Sequence, residues 1–253
     1  LNSKGIIPGI KVDKGAVNLE GFLNEKATAG LDELDERLEE YYELGARFAK
    51  WRAVITIGDD IPSDACIQAN AHSLARYASK CQQAGIVPIV EPEVLMDGTH
   101  TIEKCNMVTN QTLKIVFEQL SMYNVLLEGI ILKPNMIISA IDCPVQADIE
   151  KVADMTYACL KETVPENVPG IAFLSGGQSG DLATSHLRKM NEKYNDVPWN
   201  LTFSYGRALH HDTLNNCKGK NENRKAAHAS FLLRAKSNSL ATFGRDIEML
   251  EAR

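Results

Sequence analysis

A lysine ends one of the short apolar segments of this chain. Lys133 follows the apolar residues 130–132, and Pro134 comes directly after it. A lysine at the end of a buried strand is partly desolvated, which lowers its pKa, and a second cation such as Lys50 nearby would lower the pKa further. The free amine could then attack a ketone and form a Schiff base. The competing interpretation is a lysine that reaches solvent from a strand end, which is the commoner arrangement.

Two carboxylates flank a proline in the segment EPE. Glu91 and Glu93 are two residues apart, so they share one face if a strand continues through Pro92. On one face they would repel each other, and one of them would stay protonated and serve as an acid. Two solvated turn residues would give the same pattern, and so would one inward carboxylate beside one that faces a neighbour. The sequence leaves these alternatives open.

A glycine-rich turn, residues 174–180 (LSGGQSG), lies between a strand-like and a helix-like segment. Glycines let backbone N–H groups approach phosphate oxygens, and a helix N-terminus adds positive potential. The turn has neither the GK[ST] of a Walker A loop nor the GxGxxG spacing, so alone it indicates only a tight turn. However, Gly206 and Arg207 follow the last strand-like segment, and barrels often bind phosphate in the loops after their last two strands.

The histidines and cysteines do not indicate a metal site. His210 and His211 are adjacent, and the other histidines fall in or beside helix-like segments without ligand spacing. The six cysteines form no CxxC pair, which predicts reduced thiols in a cytoplasmic protein. We therefore expect neither a metal nor another cofactor.

Six apolar, β-rich segments are predicted as strands, at residues 9–13, 53–58, 85–91, 129–133, 170–175 and 201–206. Helical spacing between them predicts helices at residues 29–48, 63–83, 101–123, 147–164, 179–194 and 221–239. This alternation predicts an α/β fold with a parallel sheet, which an open doubly wound sheet would also satisfy. Lys50 and Arg52 precede the second segment, so that strand is expected to begin earlier.

Side chains that could take part in catalysis or substrate binding lie where these strands end. In a barrel the active site lies at the carboxyl ends of the strands, and those ends carry Lys11 and Asp13, Glu91 and Glu93, Lys133, Ser175, and Arg207. Six units do not close an eight-stranded barrel. If the fold is a barrel, two units are expected to precede Leu1.

Size and charge limit the class of protein. The chain has 253 residues, which suits one large barrel domain over residues 1–253. Its net charge of -6 argues against a nucleic-acid binder, and no apolar run approaches the length of a membrane span. An acidic protein that binds an anionic substrate must gather its cations at one site.

At these residues the sequence resembles class I fructose-bisphosphate aldolase. The resemblance covers nearly the whole chain, and its motifs occur in family order. They are GIKVDKG (9–15), FAKWR (48–52), QQAGIVPIVEPE (82–93), LEGIILKPNM (127–136), FLSGGQS (173–179) and LTFSYGRAL (201–209). The resemblance implies a TIM (β/α)8 barrel, of which this chain would hold six βα units.

The resemblance also implies a role for each matching residue. Lys133 matches the Schiff-base lysine, Glu91 the proton-transfer carboxylate, Glu93 a supporting acid, and Lys50 the lysine that contacts Glu91 and the substrate hydroxyls. The ketone-half phosphate would be bound by Ser175, Gly176, Gly177, Ser204, Gly206 and Arg207. The aldehyde-half phosphate would be guided by Lys11 and Arg52.

The implied activity is the reversible cleavage of fructose 1,6-bisphosphate to dihydroxyacetone phosphate and glyceraldehyde 3-phosphate, in glycolysis and gluconeogenesis. The implied protein is a cytoplasmic homotetramer that acts on small sugar phosphates, uses no metal, and binds neither nucleic acid nor membrane. Two alternatives remain. One is another Schiff-base barrel, such as a transaldolase or deoxyribose-phosphate aldolase. The other is a non-catalytic sugar-phosphate-binding or scaffold protein on the same barrel.

The chain departs from the family at both ends. The family has an N-terminal portion with the first two strands, an aspartate beside the Schiff-base lysine, and a phosphate-binding loop. The animal enzymes end in a tail with a terminal tyrosine, whereas this sequence ends DIEMLEAR. We expect the 253 residues alone to be unstable or weakly active, because an open sheet exposes strand edges.

Overall fold

A computed structural model describes residues 1–247 of the protein. Its strands are β1 (Gly9–Lys11), β2 (Ala16–Asn18), β3 (Lys26–Thr28), β4 (Phe48–Ile55), β5 (Val87–Val94), β6 (Ile131–Leu132), β7 (Gly170–Phe173) and β8 (Asn200–Phe203). Its α-helices are α1 (Leu34–Glu43), α2 (Asp64–Gln83), α3 (Ile102–Met122), α4 (Ile149–Thr163), α5 (Gly180–Lys193), α6 (Arg207–Cys217) and α7 (Arg224–Ala241). Short 3-10 helices cover Asn2–Lys4, Leu127–Gly129 and Asn221–Asn223.

The main sheet has six parallel strands in the order β1-β4-β5-β6-β7-β8. This order follows the chain and never reverses. A doubly wound sheet must reverse its strand order at a switch point, so the observed order is that of consecutive units of a (β/α)8 barrel. Within residues 1–247 the sheet is open, with β1 and β8 at its edges.

All six predicted strands are present in this sheet, with shifted boundaries. The largest shift is in β4, which begins at Phe48 and therefore contains both Lys50 and Arg52. β5 continues through Pro92 to Val94, because its pairing with β4 extends that far, whereas β6 pairs with it only at Ile89 and Val90. The sequence did not predict the antiparallel hairpin of β2 and β3 or helix α6.

The helices form a layer outside the sheet, in which α2, α3, α4 and α5 pack against one another in succession. Four of them begin at a residue whose side chain accepts a hydrogen bond from the first turn: Ser63, Thr101, Asp148 and Ser179. Such caps fix where a helix starts, so each strand-to-helix loop has a defined end.

The inner face of the open sheet encloses an apolar cavity of about 600 Å³ near the amino ends of the strands. Its apolar walls include Phe48, Val87, Ile89, Ile131, Ala172 and Phe203. This end of the sheet is opposite to the end that bears Lys133. The expectation about a terminal tyrosine concerns residues 248–253, which lie outside the described part of the chain.

All six cysteines lie within residues 1–247, and none forms a disulfide. Five are buried, and Cys217 is partly exposed. Burial raises the pKa of Cys66 to about 11 and the pKa of Cys81 and Cys159 to about 12. No helix in the described region has the length and apolar character needed to cross a bilayer.

Candidate active site

Lys133 is held at the carboxyl end of β6 by the sheet itself. Its backbone N–H donates to the Val90 carbonyl at 2.7 Å, which extends the strand ladder by one residue before Pro134 ends it. The residue is only 7% exposed, so the lysine does not reach out to solvent. Burial is the main cause that lowers the pKa of Lys133, and the charge of Lys50 lowers it further, while Glu91 opposes the shift.

Glu91 lies between two amines. One of its oxygens is 3.0 Å from Lys133 Nζ, and the other is 2.5 Å from Lys50 Nζ. The three side chains come from β5, the end of β6 and β4, which are neighbours in the sheet. Glu91 is 3% exposed and so is shielded from water. A carboxylate placed in this way can pass protons to and from an amine or the atoms bound to it.

The two carboxylates of the EPE segment point to the same face. Because β5 continues through Pro92, Glu91 and Glu93 are both buried on the inner side of the sheet. The solvated-turn interpretation is therefore wrong, as is the one that turns the carboxylates apart. Each has its own cation, since Arg52 forms an ion pair with Glu93. The hydrogen bond with Glu93 raises the pKa of Arg52, which outweighs the opposing effect of burial.

Lys11 and Arg52 lie together on β1 and β4, and Asp13 connects them. The buried Asp13 carboxylate is 2.7 Å from Lys11 Nζ and accepts the Arg52 backbone N–H at 3.3 Å. The side chains of Lys11 and Arg52 remain 52% and 42% exposed. Two cations at the rim with accessible side chains can receive a phosphate that approaches from solvent.

Residues 175–178, here called the phosphate turn, follow β7 beside Lys133. The Leu174 N–H donates to the Pro134 carbonyl at 3.1 Å, which joins the start of the turn to the residue after Lys133. Gly176 and Gly177 have φ values of +59° and +89°, in the left-handed region that favours glycine. A Cβ on Gly177 would lie 3.1 Å from Met96 Sδ, so a larger residue would also be crowded.

Arg207 approaches the phosphate turn from the start of α6. Its Nη2 would lie 3.8 Å from a Cβ built on Gly177, and both residues line a cavity of about 360 Å³. The first residues of α5 and α6 line the same cavity, so two helix N-termini meet there. Ser204 extends β8 by donating its N–H to Phe173 at 2.9 Å, which places it beside β7 and just before Gly206.

The sequence did not identify two buried polar residues that support this site, Asn135 and Gln178, nor the contact that Asp13 makes with Arg52. Asp13 was visible at a strand end, but its link to Arg52 depends on the β1–β4 register. Asn135 accepts the Val94 N–H and donates to Thr109, each at 3.0 Å, and so connects β5 to the residues after Lys133. Gln178, the last residue of the phosphate turn, is also buried. No residue-type pattern distinguishes such supporting groups from ordinary core amides.

No group of three or more His, Cys, Asp or Glu side chains in residues 1–247 is arranged to hold a metal ion. His186, on α5, is buried and belongs to no such group. Tyr205, within the last family motif, is also buried, and its hydroxyl donates to the Ala183 carbonyl at 2.9 Å. Its place is therefore in the packing of β8 against α5.

The profile of the family described as fructose-bisphosphate aldolase class-I matches residues 1–252. The chain belongs to the class I fructose-bisphosphate aldolase family. The resemblance seen in the motifs is thereby confirmed, and the family's members are carbon–carbon lyases.

Relatives and a solved structure agree with this family assignment. A probable fructose-bisphosphate aldolase class 1 from Xanthomonas axonopodis pv. citri is 55% identical over 97% of this chain and 73% of its own length. The cytosolic fructose-bisphosphate aldolase 5 of Arabidopsis thaliana is 54% identical over 97% of this chain and 68% of its own length. The fructose-bisphosphate aldolase of Plasmodium falciparum, solved with TRAP and a small-molecule inhibitor, superposes with a TM-score of 0.94 at 50% identity, covering 97% of this chain and 71% of that one. The TIM barrel expected from the sequence is thus confirmed as the fold of this aldolase.

Proposed function

We propose that this protein cleaves fructose 1,6-bisphosphate reversibly to dihydroxyacetone phosphate and glyceraldehyde 3-phosphate through a Schiff base on Lys133. The observation that carries the proposal is the buried Lys133 amine 3.0 Å from Glu91, whose other oxygen is 2.5 Å from Lys50. Burial and a second cation favour the uncharged amine, and only that form attacks a ketone.

The proposed reaction starts when Lys133 Nζ adds to the C2 carbonyl of the sugar. The carbinolamine loses water to give a protonated imine, and Glu91 donates the proton that makes the hydroxyl a leaving group. The imine draws the electron pair of the C3–C4 bond toward nitrogen while Glu91, a carboxylate after its proton has left, takes the proton of the C4 hydroxyl, which releases glyceraldehyde 3-phosphate. The remaining enamine is protonated at carbon, and water hydrolyses the imine to free dihydroxyacetone phosphate and the amine.

The remaining site residues would position the two phosphates. The ketone-half phosphate would be bound by Ser175, Gly176, Gly177, Ser204, Gly206 and Arg207, which follow β7 and β8 in the chain. In support, Gly177 and Arg207 line one cavity, and the Ser204 N–H donates to the Phe173 carbonyl at the end of β7. The aldehyde-half phosphate would be bound by Lys11 and Arg52, whose side chains are partly exposed. These residues lie on β1 and β4, near the other edge of the sheet from β8. Glu93 would hold Arg52 in place through their ion pair. Anchoring both ends of the substrate holds C2 beside the amine. The translational and rotational entropy of bringing the two groups together is then lost on binding and not in the chemical step.

Three further proposals concern the cellular location, the need for a cofactor and the oligomeric state of the protein. Several similar plant proteins are named cytosolic, which favours a cytoplasmic location for this one. A Schiff base needs no metal or other cofactor, since the lysine itself provides the electron sink. We further propose a homotetramer that acts on small sugar phosphates in glycolysis and gluconeogenesis, with no role in binding nucleic acid or membrane.

The test is reductive trapping with borohydride in the presence of dihydroxyacetone phosphate. We expect a reduced adduct on Lys133 by peptide mass spectrometry, and none in Lys133→Met. A matched control is Lys114→Met, because Lys114 forms a surface ion pair with Glu162 far from the site. Binding of the ketone phosphate without an adduct would favour the scaffold alternative and overturn the proposal.

A second measurement distinguishes the Schiff-base enzymes from one another. Cleavage of fructose 1,6-bisphosphate is compared with cleavage of fructose 6-phosphate at equal concentration. Two phosphate-binding regions predict a strong preference for the bisphosphate. Equal rates, or a preference for the monophosphate, would instead favour a transaldolase-like enzyme.

A further inference from the structure

A buried histidine lies directly behind the phosphate turn. His186 Nδ1, on α5, is 2.6 Å from Gln178 Oε1, and the two residues are 2% and 7% exposed. A hydrogen bond between two buried side chains is formed without competition from water, so its loss is costly. This contact joins the second turn of α5 to the last residue of the phosphate turn.

The direction of this hydrogen bond follows from the other contacts of Gln178. Its side-chain N–H donates to the Ser175 carbonyl at 2.9 Å, so its oxygen is the atom that faces His186. An amide oxygen only accepts, and therefore Nδ1 of His186 carries the hydrogen. Burial lowers the pKa of His186 to about 4, so the ring is neutral at pH 7. Its Nε2 has no hydrogen-bond partner among residues 1–247, so the ring acts through Nδ1.

Gln178 connects His186 to the backbone of the phosphate turn. The Ser175 carbonyl accepts two N–H groups of Gln178, one from the backbone at 3.0 Å and one from the side chain at 2.9 Å. Between these residues stand Gly176 and Gly177, both in the left-handed region. Glycines have little intrinsic preference for this shape, so the shape must be imposed from outside the turn.

We propose that His186 is a positioning residue for the ketone-phosphate subsite, acting through Gln178 to hold the phosphate turn in the shape that accepts phosphate. The inference rests on the proposed function, because it assigns the phosphate turn to that subsite. It places a determinant of phosphate affinity in the helix layer, because His186 belongs to α5 and contacts the phosphate turn through Gln178.

The experiment compares two ketones that form the same Schiff base and differ in the phosphate. Borohydride trapping is titrated with dihydroxyacetone phosphate and with dihydroxyacetone, for the wild-type protein and for His186→Leu and His186→Asn. Leucine fills the buried space without a donor. Asparagine carries its amide nitrogen where imidazole carries Nδ1, so it can still donate to Gln178.

We expect His186→Leu to need about fivefold more dihydroxyacetone phosphate for half-maximal trapping, the effect of one lost hydrogen bond. The dihydroxyacetone titration should not change, which also shows that the variant is folded. His186→Asn should restore the wild-type titration with the phosphorylated ketone. A general loss of structure would shift both ketones alike, and that result would overturn the proposal, as would failure of asparagine to restore affinity.

A double-mutant cycle with Gln178→Leu tests whether His186 acts on the phosphate turn through Gln178. If His186 acts through Gln178, the double variant should bind dihydroxyacetone phosphate no more weakly than Gln178→Leu alone. Additive losses would place the action of His186 elsewhere and overturn the proposal. Failure of the proposed function is a separate result: the wild-type protein would then trap neither ketone.

Discussion

The chemistry proposed for Lys133 depends on opposing influences on the pKa of one amine. Burial and Lys50 lower its pKa, whereas Glu91, at 3.0 Å, raises it. A fully isolated amine would be uncharged but would have no nearby group to take or give protons. The contact with Glu91 limits the shift in pKa and in return places a proton carrier at the reacting nitrogen.

Removing Lys50 should make the amine harder to deprotonate. In Lys50→Met the like charge is lost, and Glu91 is left with Lys133 as its main cation, so both changes raise the pKa of Lys133. The rising limb of the pH profile for borohydride trapping should therefore move to higher pH. Lys114→Met is the control that keeps the profile in place, and a shift of the Lys50 variant to lower pH would contradict the argument.

Glu91→Gln separates proton transfer from electrostatics. We expect kcat for fructose 1,6-bisphosphate to fall by a factor of about 10² to 10⁴, the usual contribution of a positioned proton-transfer group. The same change removes the charge that raises the pKa of Lys133, so the rising limb of the trapping profile should move to lower pH. Steady-state kinetics and trapping at several pH values measure the two effects. The exposed Glu128→Gln is the matched control, and an unchanged kcat in Glu91→Gln would remove Glu91 from the mechanism.

At the scale of elements, the site depends on how β5 is attached to the end of β6. β6 has only two residues, so the regular ladder between these strands is short. Asn135 extends it by accepting the Val94 N–H, and it also donates to Thr109 on α3. One buried amide therefore fixes the distance between the strand that carries Glu91 and the segment that carries Lys133.

Asn135→Ala should loosen this connection. The Val94 N–H would be left buried without a partner, which costs about 1–3 kcal/mol in the free energy of unfolding. We also expect a lower kcat, because the Lys133–Glu91 distance is no longer fixed. Urea unfolding and steady-state kinetics measure the two effects. Asn167→Ala, which removes a surface contact with Glu128, is the control, and equal stability of the two variants would contradict the role of Asn135.

Some of these elements could be predicted from sequence, and others could not. Buried parallel strands are nearly continuous apolar segments, so all six strands of the sheet were visible as such. β4 begins five residues before the start that its apolar pattern predicts, because the charged Lys50 and Arg52 interrupt that pattern. The hairpin of β2 and β3 has short, mostly exposed strands without a hydrophobic face, and α6 has a single buried residue, so neither produced a pattern.

Some residues of the candidate site could likewise be predicted from the sequence, and others could not. Lys133, Glu91 and the glycine-rich turn carry their chemistry in residue type and in their position after a strand. The partner of each carboxylate depends on strand register, which no local pattern reveals. His186 resembled any histidine on a helix, since its contact with Gln178 exists only once α5 has folded back against the phosphate turn.

At the scale of the whole molecule, the protein is acidic, yet its mouth, the opening at the carboxyl ends of the strands, is rich in cations. The net charge is -6, yet five cations surround the carboxyl ends of the strands. Lys11 ends β1, Lys133 follows β6, and Arg207 begins α6, while Lys50 and Arg52 lie within β4 beside the end of β1. Several of the acidic groups among them are buried and paired, whereas Lys11 and Arg52 keep partly exposed side chains. A doubly phosphorylated sugar is therefore attracted to the mouth in particular.

His186 should also make the stability of the protein depend on pH. Its pKa is lowered to about 4 in the folded protein, so between the ordinary value of about 6.5 and that pKa the unfolded chain binds more protons. This contribution is complete above pH 6.5 and is lost as the pH falls toward 4. The stability of the wild-type protein relative to His186→Asn should therefore decline by ~2 kcal/mol between pH 7 and pH 5.

Urea unfolding of both proteins at the two pH values measures this difference. His228→Asn, a substitution on the exposed face of α7, is the matched control for loss of a histidine. A difference between wild type and His186→Asn that stays the same at both pH values would contradict the buried, neutral histidine.

The burial of the thiols has a consequence for how long the protein survives in a cell under stress. Peroxides and electrophiles react with the thiolate, and burial raises the pKa of Cys66 to about 11 and that of Cys81 and Cys159 to about 12. At neutral pH these sulfurs are almost entirely protonated and also out of reach. Of the six, Cys217 at the end of α6 is the accessible one, so chemical damage by such agents should begin there, at the opposite end of that helix from Arg207.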